Sequence, residues 1–243
     1  KTSYIMELAD FDWGWMNKPT SQKINGEDAS FYHKRGLTKE LFEERIYEKE
    51  FKVNKGDVIL DIGSSVGPFT YSILEKNPSK VICVEPSSME LPTLNKNVGS
   101  YPNVSIETSA IWDTDGKVTL KDIFTPSGDP IEVDAIKFTT LIDKYNLGVV
   151  DFMKIDCEGG EYEVFNVENM VWIKENLRKI AGEWHLSTPE LKEKFRAFRD
   201  VFLRLFPNHS VYSFDGVDIK WDLWNEHFIE YYNEVIIYIN NKK

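Results

Sequence analysis

The chain has 243 residues, 42% of them hydrophobic and 14% aromatic, enough for one substantial core or two small ones. Asp and Glu number 40 against 29 Lys and Arg, a net charge of −11, which disfavours nucleic acid as a partner because such a chain repels phosphate. No run is apolar for long enough to span a membrane, and no basic stretch followed by an apolar one marks a signal peptide.

The chain begins with Lys1 rather than Met, and we read it as a module that a longer polypeptide can contain. Residues 1–36, with "FDWGWMNKP" and "SFYHKRG", are irregular and aromatic. They are expected to form an N-terminal extension packing on a main domain of residues 37–243. "TKELFEERIYEKEF" (38–51) predicts a helix, with Phe42 and Ile46 four apart.

From there strands and helices alternate. "DVILDIG" (57–63) is an apolar strand ending in an acid and a glycine, and Pro68 suits the first position of the helix "PFTYSILEKN". "KVICVEP" (80–86) is a second strand, and Pro92 implies a kink or a late start in "SMELPTLNKN". "NVSIETSAIW" (103–112) is a third strand, and the Asp-Gly of "DTDGKVTL" predicts a hairpin. A short helix, "FTTLIDKYN", precedes the fourth strand, "VVDFMKIDC" (149–157), and "KIAGEWHL" (179–186) is the fifth. In "STPELKEKFRAFRDVFLRLF" Thr188 can cap a helix, Pro189 can start it, and Leu191, Phe195, Phe198 and Phe202 form one stripe. "SVYSF" and "NEVIIYIN" are two more strands. Apolar strands alternating with helices predict an α/β fold with a mostly parallel sheet covered on both faces. Cys83 and Cys157 both fall in apolar strand-like runs. Two buried free thiols suit a reducing, cytoplasmic location.

In open α/β sheets ligands sit beyond the carboxyl ends of the strands. Those ends carry Asp61 and Gly63, Glu85 and Pro86, Ala110 to Trp112, Asp156, and Glu183 with His185. In "DIGSSVG" Gly63 and Gly67 allow a tight turn and a close approach to a ligand. Glu85 ends the next strand, where a carboxylate can accept both hydroxyls of a ribose. The dinucleotide pattern G-x-G-x-x-G is absent, since Ser65 stands where its second glycine would be. Asp61 would repel a pyrophosphate but suits a cation. S-adenosylmethionine, a ribonucleoside with a sulfonium and an ammonium group, fits this charge pattern better than a nicotinamide dinucleotide. The plainer alternative is that the glycines only shape the turn.

Several stretches in order resemble the FkbM-type methyltransferases, a family of S-adenosylmethionine-dependent O-methyltransferases. They are "KGDVILDIGSSVGPFT", "VICVEPSSMELPTLNKNV", "SAIWDTDGKV", "TTLIDKY" and "VDFMKIDCEGGEYEVF", spanning roughly residues 40–186. The resemblance implies a class I (Rossmann-like) methyltransferase fold, its sheet mostly parallel with a C-terminal antiparallel strand. It implies that the loop of Asp61, Gly63, Ser64, Ser65 and Gly67 lies under the methionine part of the cofactor. Glu85 and Pro86 would then take the ribose, and Ala110, Ile111 and Trp112 would line the adenine. Ser64-Ser65 departs from the Ala or Asn usual in the family.

In such a sheet the fourth strand lies beside the first, and alternation puts Phe152, Lys154 and Asp156 on one face. Glu183 and His185 share a face of the fifth. Asp156, His185 and Glu183 are therefore the candidate catalytic group. His185 is expected to serve as a base near neutral pH, with Asp156 orienting it or acting itself. The three could instead hold a divalent cation. In "KIDCEGGE" (154–161) Glu158 and Glu161 have the simpler reading of acids opening a helix, and Lys154 of balancing the carboxylates. The resemblance implies a sugar hydroxyl of a glycan as acceptor, a terminal deoxyhexose such as rhamnose or fucose, or else a polyketide or other small-molecule natural product. A non-catalytic cofactor-binding module is the rival of another class. Trp13, Trp15, Phe31 and Tyr32 early, and Trp221, Trp224, Phe228, Tyr231 and Tyr232 late, are core aromatics or sugar-stacking rings.

Overall fold

The computed structural model describes residues 8–121 and 130–241. A short hairpin, β1 (Lys23–Ile24) and β2 (Glu27–Asp28), leads into α1 (Ala29–Thr38). Asp28 caps this helix by accepting the amide of Ser30 at 3.1 Å. The helix expected at 38–51 therefore begins much earlier, inside the stretch read as irregular. It continues as one π turn, Lys39–Glu43, and stops at Arg45, whose φ is +51°.

The alternating part follows as β3 (Val58–Ile62), α2 (Pro68–Ile73), β4 (Lys80–Val84), α3 (Leu91–Val98) and β5 (Val104–Glu107). Pro92 sits in the first turn of α3, so the late start holds. The third predicted strand breaks after Glu107. Its second half is β6 (Ala110–Ile111), which joins β7 (Gly116–Lys121) and β8 (Pro130–Ile136) in a separate three-stranded sheet of order β6-β8-β7. The predicted hairpin is β7 with β8; the Asp115-Gly116 pair opens β7 rather than forming the tip. Then come α4 (Phe138–Lys144), β9 (Val150–Ile155), α5 (Glu161–Val164), α6 (Met170–Asn176) and β10 (Leu177–His185). The chain ends with α7 (Pro189–Ala197), extended by further turns to Leu205, then β11 (His209–Tyr212), α8 (Glu226–Tyr231) and β12 (Glu234–Asn240).

The central sheet has seven strands in the order β11-β12-β10-β9-β3-β4-β5. Strands β5, β4, β3, β9 and β10 run parallel, and β12 is antiparallel to both its neighbours. Each face covers its own core. One face carries Leu60, Ile82, Met153, Ile180 and Ile237 against Phe138, Ile173, Phe195 and Phe198. The other carries Ile59, Val81, Phe152, Ala181 and Ile236 against Phe69, Leu94 and the N-terminal residues Phe11, Trp13 and Met16. Cys83 is buried and Cys157 is half-buried, because it lies beyond the end of β9 rather than inside it. No helix among the described residues is long and apolar enough to cross a membrane.

Candidate active site at the carboxyl ends of the central strands

The loop after β3 is shaped by packing as much as by any ligand. Gly63 has φ +75°, and a Cβ there would lie 1.7 Å from the carbonyl oxygen of Asp156. Gly67 has φ +87° and faces Leu94. Both glycines are thus required by the protein alone. Ser64 is buried and donates its hydroxyl to the Asp61 carbonyl. Ser65 adopts φ +50°, which turns its amide toward Glu85 Oε2 at 2.8 Å and its hydroxyl toward Glu90 Oε2 at 2.8 Å. Glu90 also accepts the indole N–H of Trp15 at 2.9 Å, which ties the N-terminal segment to this loop.

Asp61 does not offer an exposed carboxylate to a cationic cofactor. It is fully buried, accepts Thr70 Oγ1 at 2.7 Å and lies 3.4 Å from Lys154 Nζ. Lys154 also donates to the Gly63 carbonyl at 2.5 Å. Burial alone would lower its pKa, but Asp61 and Asp156 outweigh that and raise it. Asp61 therefore holds the loop from beneath, and Lys154 balances it, as its place among the acids had suggested.

Glu85 stands at the end of β4, its carboxylate accepting the amides of Ser65 and Ser87 at 2.8 Å each. Each oxygen keeps a second lone pair, so the group can still accept the two hydroxyls of a ribose. Burial pushes its pKa up to about 7, against the pull of those two amides. Pro86 follows it, half-buried. Ala110 and Ile111 are buried in β6, and Trp112 continues the same edge with its amide on Ile136 O at 2.9 Å. These residues fit an adenosine: an acid for the ribose beside an apolar edge for the base.

The second group converges more tightly than its spacing in the chain suggests. Asp61 lies opposite Lys154 across β3 and β9, and Lys154 opposite Ala181 across β9 and β10. Alternation then carries Asp156, Glu183 and His185 on the face that holds Phe152 and Ala181. Apolar through the middle of the sheet, this face turns charged over its last residues. Tyr47, from the N-terminal part, donates to Asp156 Oδ2 at 2.9 Å.

Glu161 is fully buried and does not simply open a helix. Its Oε1 accepts the amide of Cys157 at 3.0 Å and lies 3.0 Å from His185 Nδ1, while its Oε2 accepts Gly159 N at 3.1 Å. Glu158, exposed, reaches His185 Nε2 at 3.4 Å. Burial would lower the pKa of His185, but the hydrogen bond and charge of Glu161, with Asp156 and Glu158, push it up to about 10. The expected neutral base is therefore an imidazolium at neutral pH, and the expectation is corrected. Glu183 is raised well above the carboxylate range, first by burial and then by Asp156. Glu40 is pushed up to about 7 by burial, with Asp156 adding to it.

A family model, the methyltransferase FkbM domain, matches residues 29–208. The chain belongs to the FkbM methyltransferase family. The match takes in α1, which lies in the stretch expected to be an extension, and continues through α7 to the edge of β11. With this membership, the strand order described above is that of a class I methyltransferase. Two curated relatives are both named ribosomal RNA small subunit methyltransferase A. One, from a Sulfurihydrogenibium species, is 24% identical over 169 residues, covering 68% of this chain and 57% of the relative. The other, from Alkaliphilus oremlandii, is 37% identical over 54 residues, covering 22% of this chain and 18% of the relative. Neither relative is spanned over two thirds of its length. Among solved structures, an rRNA methylase from Streptococcus thermophilus superposes with a TM-score of 0.47 at 8% identity, over 79% of this chain and 90% of that one.

Reading the sequence missed Glu161 as the partner of His185, and missed Tyr47, Glu40 and, beyond the residues matched to the FkbM domain, Glu234 altogether. Glu161 carried a signal: an acid four residues after Cys157 can fold back on the amides between them. Glu234 carried none, because its place opposite His185 is a matter of strand register. The aromatic flanks divide. Trp13 and Phe228 are core, whereas Phe31, Trp221, Trp224 and Tyr231 are exposed.

Proposed function

We propose that the protein is an S-adenosylmethionine-dependent O-methyltransferase that forms a methyl ether on a sugar hydroxyl of a glycan. The observation that carries this reading is the acid-lined end of the β9–β10 face, set directly beside the Gly63 loop. The Gly63 backbone touches Asp156, so a methyl donor held over that loop lies next to the carboxylates. Glu85 binds the ribose, and Ala110, Ile111 and Trp112 line the base. The cofactor supplies an electrophilic methyl group on a sulfonium and leaves as S-adenosylhomocysteine.

The chain's own residues orient the acceptor and take its proton. Asp156 is half-buried, and Tyr47 engages only its Oδ2. Its Oδ1 accepts the acceptor hydroxyl and then its proton as the carbon–oxygen bond forms. His185, already cationic, holds a positive charge beside Asp156 instead of removing the proton. Uncharged polyols suit this site because a phosphate-rich acceptor would meet Glu158, Glu183 and Glu234. That argues against carrying the ribosomal RNA substrate of the named relatives over to this chain. A terminal deoxyhexose is the first acceptor to test and a polyketide hydroxyl the second. The free thiols fit a cytoplasmic setting.

Incubation with labelled S-adenosylmethionine, a panel of glycosides, hydroxylated polyketides and RNA, read by mass spectrometry, tests the reading. One methyl gained on a sugar fragment is expected. Label on RNA, on protein or on a carboxylate would defeat it. Cofactor binding without turnover on any acceptor would instead favour a non-catalytic module.

A further inference from the structure

We infer that Glu183, His185 and Glu234 form a divalent-cation site in the wall of the candidate active site. Its existence is independent of the acceptor; its use in catalysis rests on the O-methylation proposed above.

The antiparallel pairing of β10 with β12 sets His185 directly opposite Glu234. Glu183 is two residues back on the same face. Ligand atoms of the three lie within 4.8 Å of one another. Such acids could be a mere repulsive crowd on a solvated edge, but Glu183 argues otherwise. It is only 9% exposed, and among the described residues its carboxylate has no hydrogen-bond or ion-pair partner. A largely buried carboxylate without a partner in the protein is costly unless it takes up a proton or a cation. Among the described residues the buried lysines of this face are committed elsewhere, Lys154 to Asp61 and the Gly63 carbonyl, and Lys179 to Asp57 and the Lys52 carbonyl. No Lys or Arg among the described residues pairs with Glu183 or Glu234. The one positive charge beside them, on His185, is shared with Glu161 and Glu158, and a cation from outside the chain would supply the counter-charge that remains.

The imidazole is already oriented for this role. Its Nδ1 points at Glu161, which leaves Nε2, now 3.4 Å from the exposed Glu158 carboxylate, as the nitrogen that an ion would take in place of that contact. Binding displaces the proton from Nε2, and the ion then supplies beside Asp156 the positive charge that the imidazolium gives the metal-free chain. A second cluster, Asp156, Glu161 and His185, is also within 4.8 Å, but Glu161 in it is spent and Asp156 keeps only Oδ1, the oxygen proposed above for the acceptor. Glu161 serves Cys157, Gly159 and His185, and Asp156 serves Tyr47. The Glu183 cluster is the open one. Two carboxylates and one imidazole suit a divalent ion of intermediate hardness such as manganese. Beside the acceptor it would lower the pKa of the hydroxyl to be methylated.

The test is titration of the chelator-treated full chain with manganese alone, following the free ion by electron paramagnetic resonance. One bound ion per chain is expected, with affinity lowered about 100-fold or more in Glu183→Gln and in Glu234→Gln. Glu234 is half-exposed at a strand start, so its variant should fold, and circular dichroism verifies that. No binding by the wild-type chain overturns the inference, as does undiminished binding by folded Glu234→Gln. Loss of the ion only in Asp156→Asn would move the site to the other cluster and equally overturn it. Calorimetry with S-adenosylhomocysteine is run in parallel. Intact cofactor binding without manganese binding sinks only the cation site, whereas absent cofactor binding sinks the methyltransferase reading.

Discussion

His185 Nδ1 lies 3.0 Å from Glu161 Oε1, and that fully buried carboxylate also accepts the amides of Cys157 and Gly159. One side chain thus shapes the turn after β9 and sets the orientation of the histidine ending β10. Neither role survives loss of the charge. Glu161→Gln should therefore destabilise the protein by about 2–4 kcal/mol, the range for breaking a buried hydrogen-bonded charge pair. Urea unfolding reads this directly. An unchanged midpoint would mean the turn holds without the carboxylate.

Glu183 should behave in the opposite way. Its carboxylate is buried without a partner and is repelled by Asp156, so it costs the metal-free protein stability. Glu183→Gln keeps the shape and cannot ionise. Thermal unfolding near neutral pH should show the variant more stable by about 1–2 kcal/mol, a trade of function against stability seen at many sites. A destabilised variant would indicate that the carboxylate has a partner in solution.

Lys154 is the cation beneath the glycine loop. Lys154→Met would leave Asp61 fully buried beside a thioether, 9 residues before the hydroxyl of Thr70 that is its remaining hydrogen-bond partner. A cost of about 3–5 kcal/mol follows from stranding a buried charge. The double variant Lys154→Met with Asp61→Asn should recover part of it. Absence of any recovery would show that the two residues do not act as a pair.

Glu85 gives a pH dependence of defined sign. Burial holds its folded pKa at about 7, above the ordinary glutamate value of 4.5. Its contribution to the stability of the cofactor-free protein is thus complete below about pH 4.5 and lost as pH rises through about 7. Glu85→Gln cannot ionise, so its stability should fall less steeply than the wild type's between about pH 5 and pH 8, by about 2–4 kcal/mol over the range. Cofactor binding should run the other way, because the ionised group accepts both ribose hydroxyls. Affinity for S-adenosylhomocysteine should rise from about pH 6 to pH 8 in the wild type and stay flat in Glu85→Gln. Parallel slopes in the two proteins would remove Glu85 from the cofactor site.

The order of strands, the glycine turn and the acids at the strand ends were legible in the sequence. Each rests on local pattern: apolar runs of strand length, Gly63 before a helix, and Asp61, Glu85 and Asp156 closing their strands. Helix bounds near the start were not, because the cap at Asp28 outweighed the irregular look of the residues after it. The third strand read as continuous because its residues are apolar on both sides of the break at Thr108 and Ser109, and only sheet pairing divides them.

What the chain alone determined is which chemistry is present at the carboxyl edge. What only the tertiary structure decided is which groups meet there and in what charge state. Asp61 looked available to a ligand, but burial and Lys154 commit it to the interior. His185 looked like a base, but Glu161 folds back on it from the turn after β9 and keeps it charged. Glu234 looked like any acid near the end of the chain, and the β10–β12 register alone sets it opposite His185. Protonation and ligation depend on distances of a few ångströms between segments far apart in sequence, and those distances exist only once the sheet has formed.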